Sequence, residues 1–476
     1  MAGEPWGPFD ELQVRQEWSR RRILQSALAA AGLAATGMVA AACAGSSKQA
    51  ATTTARATTT TVRKTAVVLP PGTRPFPDKP EGVESMPEIE HIVIYMQENH
   101  SFDNYYGMLG RGDGFTIRNG VPTNTNPGLD GKPVPLFHMP ETCDHTTSAN
   151  QNWSGTLASV NGGKMDGFVR AANGATGSMG YWDDSDIPFY WSLAKTFPLC
   201  DRWFCSAPAQ TLPNRRFFQA ATSMGILTSD VNEVLATPDA PNGTIWDRLN
   251  THGISWATYA VDLADIMVFP KFYAAHTDHV KKFDQFLADA AAGTLPQVCS
   301  IAPGHKIYTE ENPWDIRLGE AYSASIINAV MQGKGWEKTA LFFVYDEHGG
   351  YYDHVPPPAA IPPDDIALRL AAGDPAGKFD VYGPRVPAHI ISPYAKRDHV
   401  SHVVHDHTSM LKFIETKFNL GAMTYRDANA DDLLDSFDFT KMAFREPPTL
   451  AAPGLPATGS TCEPEVAAPK QPLTPA

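Results

Sequence analysis

Short hydrophobic runs of strand length alternate along this chain with segments that have helical periodicity. The predicted strands are Glu90–Met96, Ile254–Tyr259, Gln297–Ile301, Ala340–Tyr345 and Ala388–Ile391. Helical spacing of apolar residues is clearest in Ala321–Met331 and Asp406–Phe418, and Asp406 or Thr408 is the expected N-cap of the second helix. This alternation predicts an α/β fold with a mostly parallel sheet sandwiched by helices. Two Gly- and Asn-rich stretches are predicted to be long loops near a site, Arg111–Gly131 and Asn150–Met179.

Two of the predicted strands end abruptly at acidic and amide side chains. Glu98 and Asn99 follow the first strand, and Asp346 and Glu347 follow a strand about 250 residues later. If these strands are parallel neighbours, the four side chains converge at the carboxyl edge of the sheet, where ligands bind in open α/β folds. Three carboxylates and an amide suit a hard divalent cation such as calcium, magnesium or manganese. The alternative for the first segment alone is an ordinary turn.

A third segment, Ala209–Arg216, contains a hydroxyl, a proline and two arginines. Thr211 is predicted to lie close to the N-terminus of a helix over Arg215–Ala221, where it is either a cap or a nucleophile that also touches the metal. Asn214 and Arg215 are the predicted phosphate-binding side chains, because a guanidinium group matches phosphate oxygens; a surface arginine is the alternative.

Histidines supply the candidates for acid–base chemistry. His145 follows Asp144, which is able to orient its ring, and His348 and His354 lie just after the second acidic pair. Four more histidines precede the last strong helix and predict either a pH-sensitive or metal-binding cluster or a polar loop: His399, His402, His405 and His407. Of these, His407 is the preferred candidate for a functional role.

Composition narrows the class of protein. The chain has 476 residues, 43% of them hydrophobic, which is enough for a large core in one or two domains. Its formal charge of −14 argues against nucleic acid as a partner. Five cysteines lie beyond residue 43 with no zinc-finger spacing, and their odd number leaves at least one thiol without an intramolecular partner.

The N-terminal region has the layout of an export signal. Arg21 and Arg22 precede a hydrophobic pair and an Ala-rich apolar run from Ala27 to Ala42, as in twin-arginine (Tat) signals. The run ends at Cys43, which is either lipidated, as in a lipoprotein, or left near an ordinary cleavage site. We therefore expect an exported protein of the cell envelope, membrane-anchored or secreted. The alternative is a buried Ala-rich helix.

Composition also predicts the domain boundaries. Residues 1–43 form the export signal, and residues 44–86 form a low-complexity tether with a Pro-rich lead. The globular domain is predicted over residues 87–446, followed by a Pro- and Ala-rich, loosely ordered tail over 447–476.

Taken in order, these motifs resemble the bacterial phosphoesterase family that contains phospholipases C of the mycobacterial and pseudomonad type and related acid phosphatases. The resemblance covers roughly Pro87 to Leu420 and rests on short motifs that begin at Glu98, Asn161, Thr211, Gly293, Tyr345, Asp353, Arg385, Ile391 and His407. It implies an alkaline-phosphatase-like α/β fold. It also implies metal ligation by Glu98, Asn99, Asp346 and Glu347, a Thr211 nucleophile that touches the metal, and His145 near the phosphate or leaving group.

One position departs from the family pattern. Asn312 stands before Pro313 where related sequences usually carry histidine. An amide can donate hydrogen bonds to phosphate but cannot act as an acid near neutral pH. The leaving group would then be protonated by another histidine, such as His305, His348 or His354.

The resemblance implies an exported phospholipase C that acts through a phospho-threonine intermediate with one divalent cation, calcium or similar. Its partners would be phospholipid or a small phosphate ester, and the membrane surface. Two alternatives remain: a broad acid phosphatase that hydrolyses monoesters, and a non-catalytic binding lipoprotein that keeps the scaffold.

Overall fold

A single large sheet organises the part of the chain that the computed structural model describes, which comprises residues 67–144, 150–304, 308–454 and 462. Contacts divide the chain into two units, Met1–Val67 and Val68–Ala476, and the sheet lies in the second. The strands of the sheet are β1 (His91–Gln97), β2 (Leu199–Cys200), β3 (Trp256–Ala260), β4 (Val280–Lys282), β5 (Val298–Ile301), β6 (Thr339–Tyr345), β7 (Ala388–Ile391) and β8 (Val400–Ser401).

The eight strands lie in the order β4-β3-β5-β1-β6-β7-β2-β8. β1 is parallel to β5 and β6, and β3 is parallel to β4 and β5. β7 runs antiparallel to both of its neighbours, and β8 is parallel to β2. The prediction of a mostly parallel sheet is therefore confirmed. The five predicted strands are all present, with ends that differ by at most two residues from those expected.

The helices are α1 (Phe102–Tyr106), α2 (Trp153–Val160), α3 (Phe168–Ala171), α4 (Pro188–Thr196), α5 (Thr211–Ala220), α6 (Val231–Ala236), α7 (Ile245–Thr251), α8 (Pro270–Ala275), α9 (Phe283–Ala292), α10 (Ile316–Gln332), α11 (His407–Phe418) and α12 (Tyr425–Ala428). Within the described residues, three short two-stranded ribbons lie outside the sheet, at Ile117–Arg118 with Val121–Pro122, Thr125–Pro127 with Pro133–Pro135, and Phe137–His138 with Gly180–Tyr181.

Helices cover both faces of the sheet. Neighbouring side chains of a strand point to opposite faces, and in β6 Phe342 packs against Phe413 of α11 while Phe343 packs against Tyr190 of α4. Both central strands are buried along nearly their whole length, as expected for parallel strands between two helical layers.

Two predictions of local structure are wrong. The helix expected over Arg215–Ala221 begins at Thr211, because Pro213 lies in its first turn, where a missing N–H leaves no hydrogen bond unmade. The stretch Asn150–Met179 is not a plain loop, because it contains α2, which Asn152 caps by accepting from the Gly155 N–H. Its asparagines act as helix caps and turns.

The segments on either side of the globular domain contact it. In the Pro-rich lead, the Gly72 N–H donates to the Ala422 carbonyl, and Phe76, Lys79 and Pro80 accept from the Asn419 amide. At the other end, Cys462 is bonded to Cys143 in a disulfide. The export signal lies outside the described residues. None of the described helices combines the length and the hydropathy needed to cross a lipid bilayer.

Candidate active site

The two acidic segments lie side by side at the carboxyl edge of the sheet. β1 and β6 are parallel neighbours with Gln97 opposite Tyr345, so Glu98 and Asp346 leave the sheet at the same level. The N–H groups of Asn99 and Glu347 both donate to Asp346 Oδ1, at 3.1 and 2.7 Å. The prediction that these two strands are parallel neighbours is confirmed, and the two turns are joined by hydrogen bonds.

Thr211 is brought to this edge by the first turn of α5. Its Oγ1 donates to Asn99 Oδ1 at 3.3 Å. The amide of Asn214 contacts the backbone of the preceding loop, where it donates to the carbonyls of Ala207 and Ala209 and accepts from the Ala207 N–H. Asn214 thus positions the loop that presents Thr211, and the substrate contact predicted for it stays a prediction.

Arg215 lies beneath the carboxylates. Its guanidinium group contacts Asp265 at 3.0 Å, Glu98 at 3.3 Å and Asp346 at 3.4 Å, and the side chain is buried. Asp265 was not predicted, because it lies five residues beyond the end of β3 and does not follow the strand directly, as Glu98 follows β1. In this structure, the donors of Arg215 are engaged with protein carboxylates.

Arg215 neutralises only part of the negative charge of the carboxylates at this edge. Burial raises the pKa of Asp346 to about 7, although the charge of Arg215 acts in the opposite direction. Burial, and then the charge of Asp346, raise the pKa of Glu347 well above its usual value. Two carboxylates that resist ionisation in isolation are stabilised in their charged form by a cation between them.

The donor set fits a metal ion. Asp346 Oδ2 and Glu347 Oε1 are buried and have no hydrogen-bond partner among the described residues. Together with oxygens of Glu98, Asn99 and Thr211 they form an oxygen-only set, which a hard divalent cation prefers. Glu98 is held in place by the Thr309 hydroxyl, which donates to its Oε2 at 2.9 Å.

Gly349 allows the two turns to approach closely. Its φ is +64°, and a Cβ placed there would lie 1.8 Å from the Asn99 carbonyl oxygen. Its N–H donates to Glu347 Oε2 at 2.8 Å. Only glycine therefore lets the second turn contact the first while fixing one oxygen of Glu347 and leaving the other unpaired.

His348 and His354 have different partners. His348 Nδ1 accepts from the Gly350 N–H, so Nε2 donates to Thr156 Oγ1 at 3.1 Å, and burial lowers the ring pKa to about 4. His354 lies 2.6 Å from Asp103 and 3.2 Å from Asp113. Burial alone would lower its pKa, but hydrogen bonding and the charge of Asp103 raise it to about 9. His354 is therefore protonated near neutral pH, with both nitrogens facing carboxylates.

The region predicted to bind the leaving group is partly described. His145 and His305 lie outside the described residues. Tyr351 has its hydroxyl within hydrogen-bond distance of both Asp144 and Asn312, at 3.1 and 2.8 Å. Asp144, directly before His145, is thus brought to the position where the chain departs from the family pattern.

His407 contacts the backbone at the edge of the sheet where the metal ligands are predicted. Its Nδ1 accepts from the Trp203 indole N–H, which leaves Nε2–H to donate to the Asp346 carbonyl at 2.7 Å. Burial lowers the pKa of His407 to about 4, so the ring is neutral. Its contact is with the backbone of a predicted ligand, which makes His407 a positioning residue.

Comparison with known proteins finds relatives that cover most of the chain. Residues 89–421 match the model of the phosphoesterase family. The chain is 31% identical over 409 residues to a non-hemolytic phospholipase C from Pseudomonas aeruginosa, with 75% of this chain and 58% of the relative covered. It is 28% identical over 428 residues to phospholipase C B from Mycobacterium tuberculosis, with 78% and 81% covered.

The chain spans about three fifths of the length of the non-hemolytic phospholipases C from Pseudomonas aeruginosa and Burkholderia pseudomallei. A solved structure from Vibrio parahaemolyticus, described as a protein in the alkaline phosphatase superfamily, matches with a TM-score of 0.38 at 10% identity over 75% of this chain and 72% of that one. A score this low supports no argument. The family match spans both acidic turns, Thr211 and His407, and the chain belongs to the phosphoesterase family.

Proposed function

We propose that this protein is a metal-dependent phosphoric ester hydrolase of the phospholipase C type. The observation that carries the proposal is the hydroxyl of Thr211, which lies 3.3 Å from Asn99 Oδ1 at the strand edge that also holds two buried carboxylate oxygens without a hydrogen bond, Asp346 Oδ2 and Glu347 Oε1. A non-catalytic binding protein would not require a hydroxyl at that position. The names of the relatives support the same class of reaction.

Glu98, Asn99, Asp346 and Glu347 would hold the divalent cation, with the Thr211 oxygen beside it. When bound, the cation supplies positive charge for the phosphoryl oxygens and lowers the pKa of the nearby hydroxyl. α5 begins at Thr211, so the positive end of its helix dipole lies beside the Thr211 oxygen and favours an anion there.

In the proposed reaction, Thr211 Oγ1 loses its proton and bonds to phosphorus while the bond from phosphorus to the leaving oxygen breaks. The leaving alcohol, diacylglycerol for a phospholipid, departs with one proton. Water then attacks the phospho-threonine, which releases the phosphorylated head group and restores the hydroxyl. His145, next to Asp144, is the proposed proton donor to the leaving group.

Thr211 variants test the nucleophile. We expect Thr211→Ala to reduce the release of diacylglycerol from phosphatidylcholine by at least about a thousandfold, as expected when a nucleophile is removed. Thr211→Ser should retain measurable turnover because it keeps the hydroxyl. Thr251→Ala is the matched control, since Thr251 is exposed at the end of α7. Full turnover by Thr211→Ala would contradict the proposal.

A substrate panel separates the diesterase from the monoesterase. We expect the protein to hydrolyse p-nitrophenylphosphorylcholine faster than p-nitrophenyl phosphate, and to lose both activities in chelator. A strong preference for the monoester would instead assign an acid phosphatase. No turnover of either ester by metal-loaded protein would favour a binding protein.

We also propose export by the twin-arginine route, with Cys43 as a possible site of lipid attachment; the layout of residues 21–43 supports this. Replacing Arg21 and Arg22 together by lysine should retain the precursor in the cytoplasm, and cell fractionation measures this. Cys43→Ser should release the exported protein from membranes if Cys43 is lipidated. If Cys43→Ser is distributed in the same way as wild type, Cys43 is not lipidated and the signal is removed by ordinary cleavage. Export of the lysine variant at the normal rate would contradict the route.

A further inference from the structure

One short segment, residues 308–312, connects the proposed metal ligands to the region around Asn312. It lies between the end of β5 and the start of α10. The Tyr308 carbonyl accepts from the side-chain amide of Gln97, the last residue of β1, and the Asn312 amide oxygen accepts from the Tyr351 hydroxyl. The placement of this segment therefore affects the metal edge and also the position where the chain departs from the family pattern.

Glu310 anchors the segment in the core. Its side chain is fully buried and has no lysine or arginine partner in the described part of the chain, which is unusual for a carboxylate. Three tyrosine hydroxyls hold it instead. Tyr105 and Tyr345 donate to Oε2 at 2.6 and 2.7 Å, and Tyr190 donates to Oε1. These three side chains form the tyrosine cage of Glu310.

The tyrosine cage belongs to three different elements of the fold. Tyr345 is the last residue of β6, Tyr105 lies in α1 and Tyr190 lies in α4, and all three rings are buried. On another side, Gly319 of α10 lies so close that a Cβ there would be 2.3 Å from Glu310 Cγ. A buried network whose groups are all hydrogen-bonded is rigid, so Glu310 is held in one position.

Thr309 connects Glu310 to a predicted metal ligand. Its hydroxyl donates to Glu98 Oε2 at 2.9 Å and accepts from the Glu311 N–H at 3.1 Å, so rotation of the side chain would break both bonds. The other oxygen of Glu98 lies 3.3 Å from Arg215. Because Thr309 precedes Glu310 directly in the chain, the tyrosine cage determines where the Thr309 hydroxyl lies and so how the Glu98 carboxylate is turned.

We propose that Glu310 and its tyrosine cage are positioning residues that act through Thr309 to orient Glu98 for the metal ion. The inference rests on the proposed function, because that function makes Glu98 a metal ligand. Neither Glu310 nor the cage would touch the ion or the substrate. Removing a group that orients a metal ligand in this way typically weakens metal binding by about 10- to 100-fold. A cage that only stabilised the core would leave the metal affinity of the folded protein unchanged.

Calcium binding by the full chain tests this proposal. Protein stripped with chelator is titrated with CaCl₂, and in a parallel series with MnCl₂, and calorimetry measures Kd. Tyr345→Phe and Tyr105→Phe each remove one hydroxyl and keep the ring. They are preferred to Glu310→Gln, whose amide would put a donor where the cage needs an acceptor. Tyr259→Phe is the matched control, since buried Tyr259 of β3 also donates to a carboxylate, Asp289 at 2.7 Å, on a helix that carries no residue of the predicted site.

We expect each cage variant to raise the calcium Kd by at least about tenfold. Tyr259→Phe loses a comparable hydrogen bond, so its Tm should fall as much, with the calcium Kd unchanged. Thr309→Val should weaken calcium binding to a similar extent as the cage variants, and Thr309→Ser should restore it because the hydroxyl is kept. A calcium Kd that is unchanged in folded Tyr345→Phe and Tyr105→Phe would overturn the proposal, as would full affinity in Thr309→Val.

A double-mutant cycle tests whether the cage acts through Thr309. In the Thr309→Val protein, adding Tyr345→Phe should change the calcium Kd by less than about twofold, because the connection to Glu98 is already lost. Effects of the two substitutions that simply multiply would show that the cage and Thr309 act independently, and would contradict the proposed connection.

Ester hydrolysis separates this inference from the proposed function. Wild-type protein that turns over phosphate esters while the cage variants keep the wild-type Kd would remove the inference alone. Wild-type protein that binds calcium or manganese but hydrolyses no ester would contradict the proposed function, and the Kd values of the variants would still decide the role of the cage. Wild-type protein that binds neither ion would overturn the inference, with ester hydrolysis still deciding the proposed function.

Discussion

Arg215 is the residue whose contacts most change the interpretation of the site. The sequence suggested a phosphate clamp, because an arginine follows Thr211 at the start of a helix. Its guanidinium group instead contacts Glu98, Asp265 and Asp346, which come from three different turns. No local pattern reveals such a contact, because it depends on which strands become neighbours.

Arg215→Met tests whether this arginine holds the carboxylates together. Removing the charge leaves buried carboxylates without a partner, and we expect a loss of about 3 kcal/mol in the free energy of unfolding of metal-free protein. Saturating calcium should recover part of the loss by neutralising Glu98 and Asp346. Denaturant unfolding with and without calcium measures both effects.

The exposed pair of Arg445 with Glu337 provides the control, and Arg445→Met should change stability by less than about 1 kcal/mol. A rise in KM with no change in stability would contradict this role for Arg215. That result would indicate that Arg215 contacts the phosphate directly.

His354 makes stability depend on pH. Its pKa is about 9 in the folded protein, above the value of about 6.5 for a free histidine. A raised pKa means that the stabilising contribution is complete below about pH 6.5 and is lost as the pH rises through 9. We expect His354→Gln to be less stable than wild type by about 2 kcal/mol at pH 6, with the difference gone near pH 10.

Urea unfolding of both proteins across this range measures the difference. A gap that is constant with pH would show that protonation of His354 does not contribute to stability. Separate pH profiles of kcat would report on catalysis, since a group protonated throughout this range is a poor candidate for a proton donor that must be recycled at neutral pH.

At the scale of secondary-structure elements, hydrophobic patterning predicted the longer, regular strands and helices. The strands that end at Glu98 and Asp346 were found because a buried strand followed directly by acidic residues is unusual. The strands β2, β4 and β8 were missed, because two or three residues show no periodicity. Helix α10 begins at Ile316, five residues before the predicted start, after an N-cap at Asp315.

Gly349 offers a test of how the two turns are joined. Gly349→Ala would place a methyl group against the Asn99 carbonyl, and we expect a loss of at least about 3 kcal/mol in stability or a displaced turn with weak metal binding. Calorimetry and calcium titration measure these effects. Gly373→Ala is the matched control, because Gly373 has φ +94° and no atom within 4 Å of the added Cβ. Equal effects of the two substitutions would show that backbone strain, and not the contact, is responsible.

At the scale of the whole molecule, the candidate site is assembled from segments that lie far apart in the sequence. The strand-end rule predicted the convergence of 98–99 with 346–347, and the expected helix start after Ala209, supported by the resemblance to a family, added Thr211. The sequence did not reveal the disulfide partner of Cys143, since five cysteines allow several pairings.

The disulfide between Cys143 and Cys462 fastens the C-terminal tail to the segment that carries Asp144. Removing a native disulfide typically costs about 2–5 kcal/mol, and we expect Cys462→Ala to lower Tm accordingly. The double variant with Cys143→Ala should match the single one, because both lack the same bond. Reductant should lower the Tm of wild type and leave the double variant unchanged. Because Asp144 contacts Tyr351, which also contacts Asn312, esterase activity should fall with the bond, whereas identical Tm and activity in all variants would mean that the tail is not fastened in solution.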